Sequence, residues 1–198
     1  MGDQPELSMA TTGIQPSDLG SPQMIVLKGK GPNLDHQKVI LNSMYIGENE
    51  FHLGSGIEVR RDENGSPVLD HPHVRYNNVK NLKLHKYGSG PFVFLQLSSL
   101  PEAQGVYAVV ADDKEILYIG QSSDTIRNRW QMGYASIQPR NCFQNGQSTN
   151  CRLNRLIYAA ILANRKLELY VLATTDYERI EKNLIATLQP TWNLQGIR

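Results

Sequence analysis

The feature that most constrains this chain is a change of period near residue 100. Before it, short apolar runs are cut repeatedly by turn-forming residues. Met24-Ile25-Val26-Leu27 stops at Lys28-Gly29-Lys30-Gly31-Pro32, and Lys38-Val39-Ile40-Leu41 leads into Asn42-Ser43. Gly56-Ile57-Glu58-Val59 runs into the turn-like Asp62-Glu63-Asn64-Gly65, and Phe92-Val93-Phe94-Leu95 follows Gly88-Ser89-Gly90-Pro91. Runs this short, punctuated this way, suit strands rather than helices. After residue 100 the pattern predicts strands over 106–110 and 116–119, joined as a hairpin by the polar Ala111-Asp112-Asp113-Lys114. Asp124 predicts an N-cap for a helix to about residue 137, and a Gln/Asn-rich loop spans 138–148. A second helix is predicted over 150–164, with Leu153, Leu156, Ile157, Ala160 and Ile161 at helical spacing. A strand over 167–172 and a helix from Asp176 to about Gln189, stopped by Pro190, complete the order β-β-α-α-β-α.

A chain of 198 residues has room for one large domain or two small ones. The reading is a flexible tail over 1–22, a β-rich N-terminal module over 23–99, and an α+β domain over 100–198. Net charge is +1, so bulk charge announces no polyanionic partner. Its distribution does more: between Gln121 and Tyr170 stand Arg127, Arg129, Arg140, Arg152, Arg155, Arg165 and Lys166 against only Asp124 and Glu168. Such a local field suits a polyanion, and equally a solvated helix face. The two cysteines, Cys142 and Cys151, fit a reducing compartment better than a disulfide scaffold, and alone they make no structural zinc site. No apolar run reaches the length of a membrane span and no signal peptide opens the chain, so the expected location is cytoplasmic. His71 and His73 read as loop residues.

Glu181 stands out in the last helix. Tyr177, Ile180, Leu184, Ile185 and Leu188 form an apolar stripe there, and Glu181 lies within it. A carboxylate facing a core is costly unless a cation or donors compensate it. The alternative is a stripe-edge glutamate reaching water or an arginine. Tyr107 and Tyr118 occupy the hairpin strands, where aromatic residues are common anyway; Gly105 and Gly120 beside them would let a substrate backbone come close.

The stretches Gly105-Val106-Tyr107, Tyr118-Ile119-Gly120, Arg129-Trp130, and Glu181 followed by Asn193 resemble, in order and spacing, the GIY-YIG nuclease family. The Pro190-Thr191-Trp192-Asn193 ending resembles its type II restriction endonuclease branch. The resemblance covers about half the chain. It implies a small antiparallel three-stranded sheet flanked by helices, and Mg²⁺-dependent (or Mn²⁺-dependent) hydrolysis of double-stranded DNA. By the same resemblance Glu181, rather than Glu178, holds the metal, and Tyr107 and Tyr118 organise the attacking water, with Tyr107 preferred as general base. Arg129, rather than Arg127, would hold the phosphate in catalysis, and Asn193 would orient a catalytic side chain or the scissile phosphate. The family often carries His or Tyr one turn after its arginine; here Gly133 takes that offset and Tyr134 follows, so Tyr134 is the candidate auxiliary residue. Tyr45-Ile46-Gly47 has no partner motif before it and is read as coincidence.

Candidate DNA contacts are Arg127, Arg140, Arg152 and Arg155, with Gln138, Asn141, Gln144, Asn145 and Gln147 as candidate base readers in the loop. A single cutting centre implies a homodimer or higher assembly on DNA for double-strand cleavage. A structure-specific repair or mobile-element nuclease, and a DNA-binding protein that has lost the reaction, are the alternatives.

Overall fold

The computed structural model describes residues 42–112 and 114–194. The expected tail over 1–22 and the runs at Met24–Leu27 and Lys38–Leu41 lie outside them. A curled antiparallel sheet runs in the order β1 (Ser43–Ile46), β2 (Asn49–Val59), β8 (Leu167–Ala173), β6 (Gly105–Ala111), β7 (Ile116–Ser122), with β5 (Leu95–Gln96) also on β2. A separate pair joins β3 (Leu69–Asp70) to β4 (Phe92–Val93). The helices are α1 (Ile126–Asn128), continued by a π-helical turn over Arg129–Tyr134, α2 (Ser148–Leu162) and α3 (Tyr177–Leu188). The fold is α+β.

Two expectations need correction. The sheet has six strands rather than three, and no boundary at 99/100 separates two sheets. The cause is β2, whose residues His52 to Ile57 pair with Val171 to Leu167 of β8. The β2 strand can serve both faces of the sheet because its register shifts between Leu53 and Ser55. Phe51 packs with α3, whereas Ile57 and Val59 pack on the opposite face. All three are odd-numbered, so only a bulge reverses their direction. Gly54 sits at that bulge, where a Cβ would meet Val171, Leu100 and the Leu169 carbonyl at 3.1–3.3 Å.

Every residue of the central strand β6 is buried, because helices cover both faces of the sheet. Val106, Ala108 and Val110 pack with Ile119, Ile180 and Leu184, the α3 side. Tyr107, Val109 and Ala111 pack with Ile126, Trp130, Tyr134, Leu153 and Ile157 on the other. The anticipated turn at 62–65 forms around Asp62, whose Oδ1 accepts from Asn64 and Ser66 while Gly65 takes a positive φ of 79°. The first helix starts one residue later than expected: Thr125, not Asp124, caps it, accepting from the Asn128 N–H at 3.0 Å. It also ends at Tyr134 rather than near residue 137.

Candidate active site

Tyr107 and Tyr118 point to the same face of the sheet because β6 and β7 pair with Tyr107 opposite Gly120 and Val109 opposite Tyr118. Their ring centroids are 6.4 Å apart. The two glycines serve a purpose other than the expected one. A Cβ on Gly120 would lie 2.7 Å from the Tyr107 ring, and one on Gly105 would lie 2.1 Å from the Leu172 carbonyl oxygen of β8. The open space is taken by the protein itself, so these glycines seat Tyr107 and let β6 and β8 close up; neither admits a substrate backbone.

Tyr134 is the centre of the cluster. Its hydroxyl lies 2.8 Å from the Tyr107 hydroxyl and accepts from Arg129 Nη2 at 2.7 Å. The Tyr118 phenol lies close to the same hydroxyl, and the Arg129 guanidinium stands 4.4 Å above the Tyr134 ring. Trp130 closes the wall, edge-on to Tyr107 at 5.5 Å and to Tyr134 at 5.0 Å. The π turn explains the sequence departure at Gly133. The Ala135 N–H bonds the Trp130 carbonyl five residues back at 2.8 Å, so one turn after Arg129 falls on Tyr134 instead of Gly133. The extra residue is absorbed locally, and the phenol arrives where the arginine can reach it.

Burial dominates the acid–base behaviour. It pushes the phenols of Tyr107, Tyr118 and Tyr134 upward, so all three keep their protons at neutral pH. The Arg129 charge works against this at each of them. Tyr107 differs in one respect: its contacts with the Tyr134 hydroxyl and the Arg129 guanidinium both favour its ionised form. For Arg129, burial disfavours the charge, yet the surrounding phenol oxygens raise its pKa overall, so it stays cationic.

Glu181 sits half-buried on α3, as do the stripe residues Tyr177 and Ile185. It is close enough to Arg129 for that charge to lower its pKa, but burial comes first and, with Glu178 nearby, holds it above the usual carboxylate value. No hydrogen bond or ion pair reaches its carboxylate among the described residues. Tyr118 feels the same carboxylate. Tyr107, Tyr118, Arg129 and Tyr134 therefore converge, with Glu181 within electrostatic reach of Tyr118 and Arg129.

Asn193 has a different task from the one expected. Its Oδ1 accepts from the Ile119 N–H at 2.9 Å and its Nδ2 donates to the Ile119 carbonyl at 2.8 Å. Both ends of the amide are spent on the β7 backbone, next to Tyr118. The Trp192 N–H bonds the Leu117 carbonyl at 2.8 Å, so this turn hydrogen-bonds alongside β7 as a strand would. Arg152, expected on DNA, is 9% exposed and donates to the Trp192 carbonyl, bracing that turn. Arg127 is likewise engaged elsewhere, with the Leu100 carbonyl at 3.1 Å and with Glu102. Arg140 donates to the Gln144 carbonyl at 2.9 Å within its own loop, and Arg155 is exposed.

Sequence reasoning missed Asn154. It is fully buried and holds Val93 by both backbone groups while donating to the Tyr134 carbonyl at 2.8 Å, which fixes the end of the π turn. Its signal was an asparagine on the apolar face of a helix, one residue after Leu153 and three before Ile157. Tyr45, the stray Tyr-Ile-Gly, is exposed on β1, at the end of the sheet order away from β7. No helix among the described residues is long and apolar enough to cross a membrane.

No family model matches the chain, and no curated protein matches it. A solved structure, that of a mutant of bacteriophage T4 EndoII, is similar over 57% of this chain and 87% of that one, with a TM-score of 0.40 and 18% identity. A score of that size leaves the chain's own topology and side chains to speak for it.

Proposed function

We propose that the chain is a metal-dependent endonuclease that hydrolyses phosphodiester bonds of double-stranded DNA, acting as a sequence-specific restriction enzyme with a core of the GIY-YIG kind. The observation that carries this reading is the convergence of two hairpin tyrosines, a third tyrosine and an arginine, with a carboxylate that has no hydrogen-bond donor within electrostatic reach. A half-buried carboxylate without a donor lacks a purpose in packing alone, since its burial costs stability.

Glu181 suits a divalent cation. A half-buried carboxylate with raised pKa and no donor is relieved by a positive charge. Among the described residues no group of three or more His, Cys, Asp or Glu could hold a metal. One carboxylate, with water and phosphate oxygens filling the other positions, is the ligand set Mg²⁺ accepts. Bound there, the ion would polarise a phosphate oxygen as a Lewis acid.

The protein's own groups supply the rest. Arg129 spends Nη2 on Tyr134 and Nη1 on Gln147, leaving other N–H donors of its fork for a phosphate oxygen, where they would offset charge growing on phosphorus. The phenols orient the attacking water. Tyr107 would take its proton only as phenolate, a form that its contacts with Tyr134 and Arg129 favour and that a bound cation would favour further. As water attacks, the bond from phosphorus to the leaving oxygen breaks. Asn193 acts one step back, fixing β7 and with it Tyr118. Arg155 remains as a candidate contact to the DNA backbone. Cutting both strands with one centre calls for two subunits on the duplex.

Plasmid DNA incubated with the protein and Mg²⁺ tests the reading. Discrete fragments, abolished by EDTA, are expected. Intact plasmid across a range of sequences and salt concentrations would refute nuclease activity. Cutting confined to forks or flaps would replace the restriction reading with structure-specific repair.

A further inference from the structure

Beside the tyrosine cluster lies an open groove of about 780 Å³ whose lining includes Arg129, Gln138, Asn141, Gln147 and Asn150. Most of these side chains are amides from the loop before α2 and from the first turn of α2. One of them reaches the cluster. Gln147 Oε1 accepts from Arg129 Nη1 at 3.2 Å and from Asn150 Nδ2 at 3.1 Å. The Gln147 backbone is itself tied down, its N–H donating to Asn141 Oδ1 at 3.3 Å. Asn150 is 1% exposed, and its Oδ1 has no partner. Gly133 of the π turn lies beside this arrangement: a Cβ there would make ordinary contacts, 3.5 Å from Arg129 Nη1 and 3.6 Å from Asn150 Nδ2.

We infer that Gln147 is a positioning residue that aims Arg129 at the scissile phosphate from within the groove, so that one side chain sets both the groove's lining and the arginine's direction. This rests on the nuclease reading above. The chemistry favours an amide at this point. A carboxylate would pair with the guanidinium and compete with phosphate for its charge. A neutral carbonyl oxygen fixes Nη1 while leaving the full positive charge for the substrate. Asn150, locked beneath Gln147, holds that oxygen in place, and its own spare acceptor can take one further donor. Gln147 is exposed and lines the groove that this proposal gives to the duplex. Contact of DNA with Gln147 would therefore alter the aim of Arg129.

The test compares the unsubstituted protein with Gln147→Ala and with Gln147→Met, which keeps side-chain length but removes the acceptor. Single-turnover cleavage of a labelled duplex gives the rate, and binding of the same duplex in Ca²⁺ gives the affinity. A slightly misaimed catalytic group costs ~10–100-fold in rate. Both variants should lose that much rate while their affinity stays within about threefold of the parent, with unfolding temperatures lowered by at most a few degrees as Asn150 Nδ2 loses its acceptor. Cleavage at the parental rate by either variant overturns the positioning role alone. So does a loss of affinity as large as the loss of rate, which marks Gln147 as an ordinary DNA contact. Absence of cleavage by the unsubstituted protein overturns the nuclease reading and the positioning role together.

Discussion

An alanine at Gly120 would bring its Cβ within 2.7 Å of Cε2 and Oη of Tyr107 and 2.8 Å of Cζ. Carbon atoms in contact prefer ~3.5–4.0 Å, so the ring must retreat by about 1 Å or the two strands must part. The ring has nowhere to go. It is 1% exposed, with Trp130 and Tyr134 edge-on against it at 5.5 and 6.2 Å. Overpacking of this kind costs ~1–3 kcal/mol, set against a gain of ~0.5–1 kcal/mol from removing a flexible glycine. At the middle of these ranges the net loss is ~1.3 kcal/mol, about 3–5 °C in unfolding temperature at ~2–4 °C per kcal/mol. The same 1 Å would break the 2.8 Å contact between the Tyr107 and Tyr134 hydroxyls, and a displacement of that size can lower cleavage ~100-fold. Gly56 is the control: it lies in β2, and a Cβ there meets nothing within 4 Å. Thermal unfolding and single-turnover cleavage of both variants decide the matter. Gly56→Ala should be neutral or slightly stabilising, with full activity. If Gly120→Ala behaves the same way, the reasoning about how Tyr107 is seated is wrong.

Asn193→Ala removes both hydrogen bonds to Ile119 and should cost ~1–3 kcal/mol in urea unfolding, with cleavage reduced through the loosened Tyr118 strand; unchanged stability would mean that the turn does not hold β7. Asp70 forms a two-pronged pair with Arg75 at 2.5 and 2.9 Å, and this hydrogen-bonded partner lowers its pKa against the effect of burial. A carboxylate depressed on folding contributes stability above its unfolded pKa of ~3.9, and that contribution is lost as pH falls through the folded value. Asp70→Asn should therefore be less stable than the parent at pH 7 by ~1–3 kcal/mol, with the gap closing in acid; a gap independent of pH would refute the assignment. Arg155→Ala should weaken DNA binding and reduce its salt dependence by about one phosphate contact, whereas Arg127→Ala should leave the salt slope alone and lower stability. The reverse pattern would restore Arg127 as a DNA contact.

Helical spacing and strand punctuation located the hairpin β6–β7, the helices α2 and α3 and the strand β8 to within a few residues, because amphipathic period is written locally. The sheet's true width was not legible. Nothing in Phe51 or Ile57 announces that they face opposite sides; the bulge at Gly54 is a property of pairing with β8, which lies more than a hundred residues away. The resemblance picked out Tyr134, but not the local geometry that brings it to Arg129. Counting by ordinary helical turns put Gly133 at the useful offset, and only the π turn moves the phenol into place. Residue type proved a weak guide to role among the polar side chains. Arg152 and Arg127 looked like DNA contacts yet brace the protein's own carbonyls, while Asn193 spends its amide on Ile119. Glycines beside the tyrosines invited a substrate-access reading, but both are filled by neighbouring protein atoms.

The account stands most directly on Glu181. Single-turnover cleavage of a labelled DNA duplex in Mg²⁺ should be measured for the unsubstituted protein and for Glu181→Gln. Circular dichroism should show both to be equally folded. The expected result is defined cut products from the first and none from the second. Products from both would remove the carboxylate from the chemistry, and products from neither would end the phosphodiesterase reading of this site.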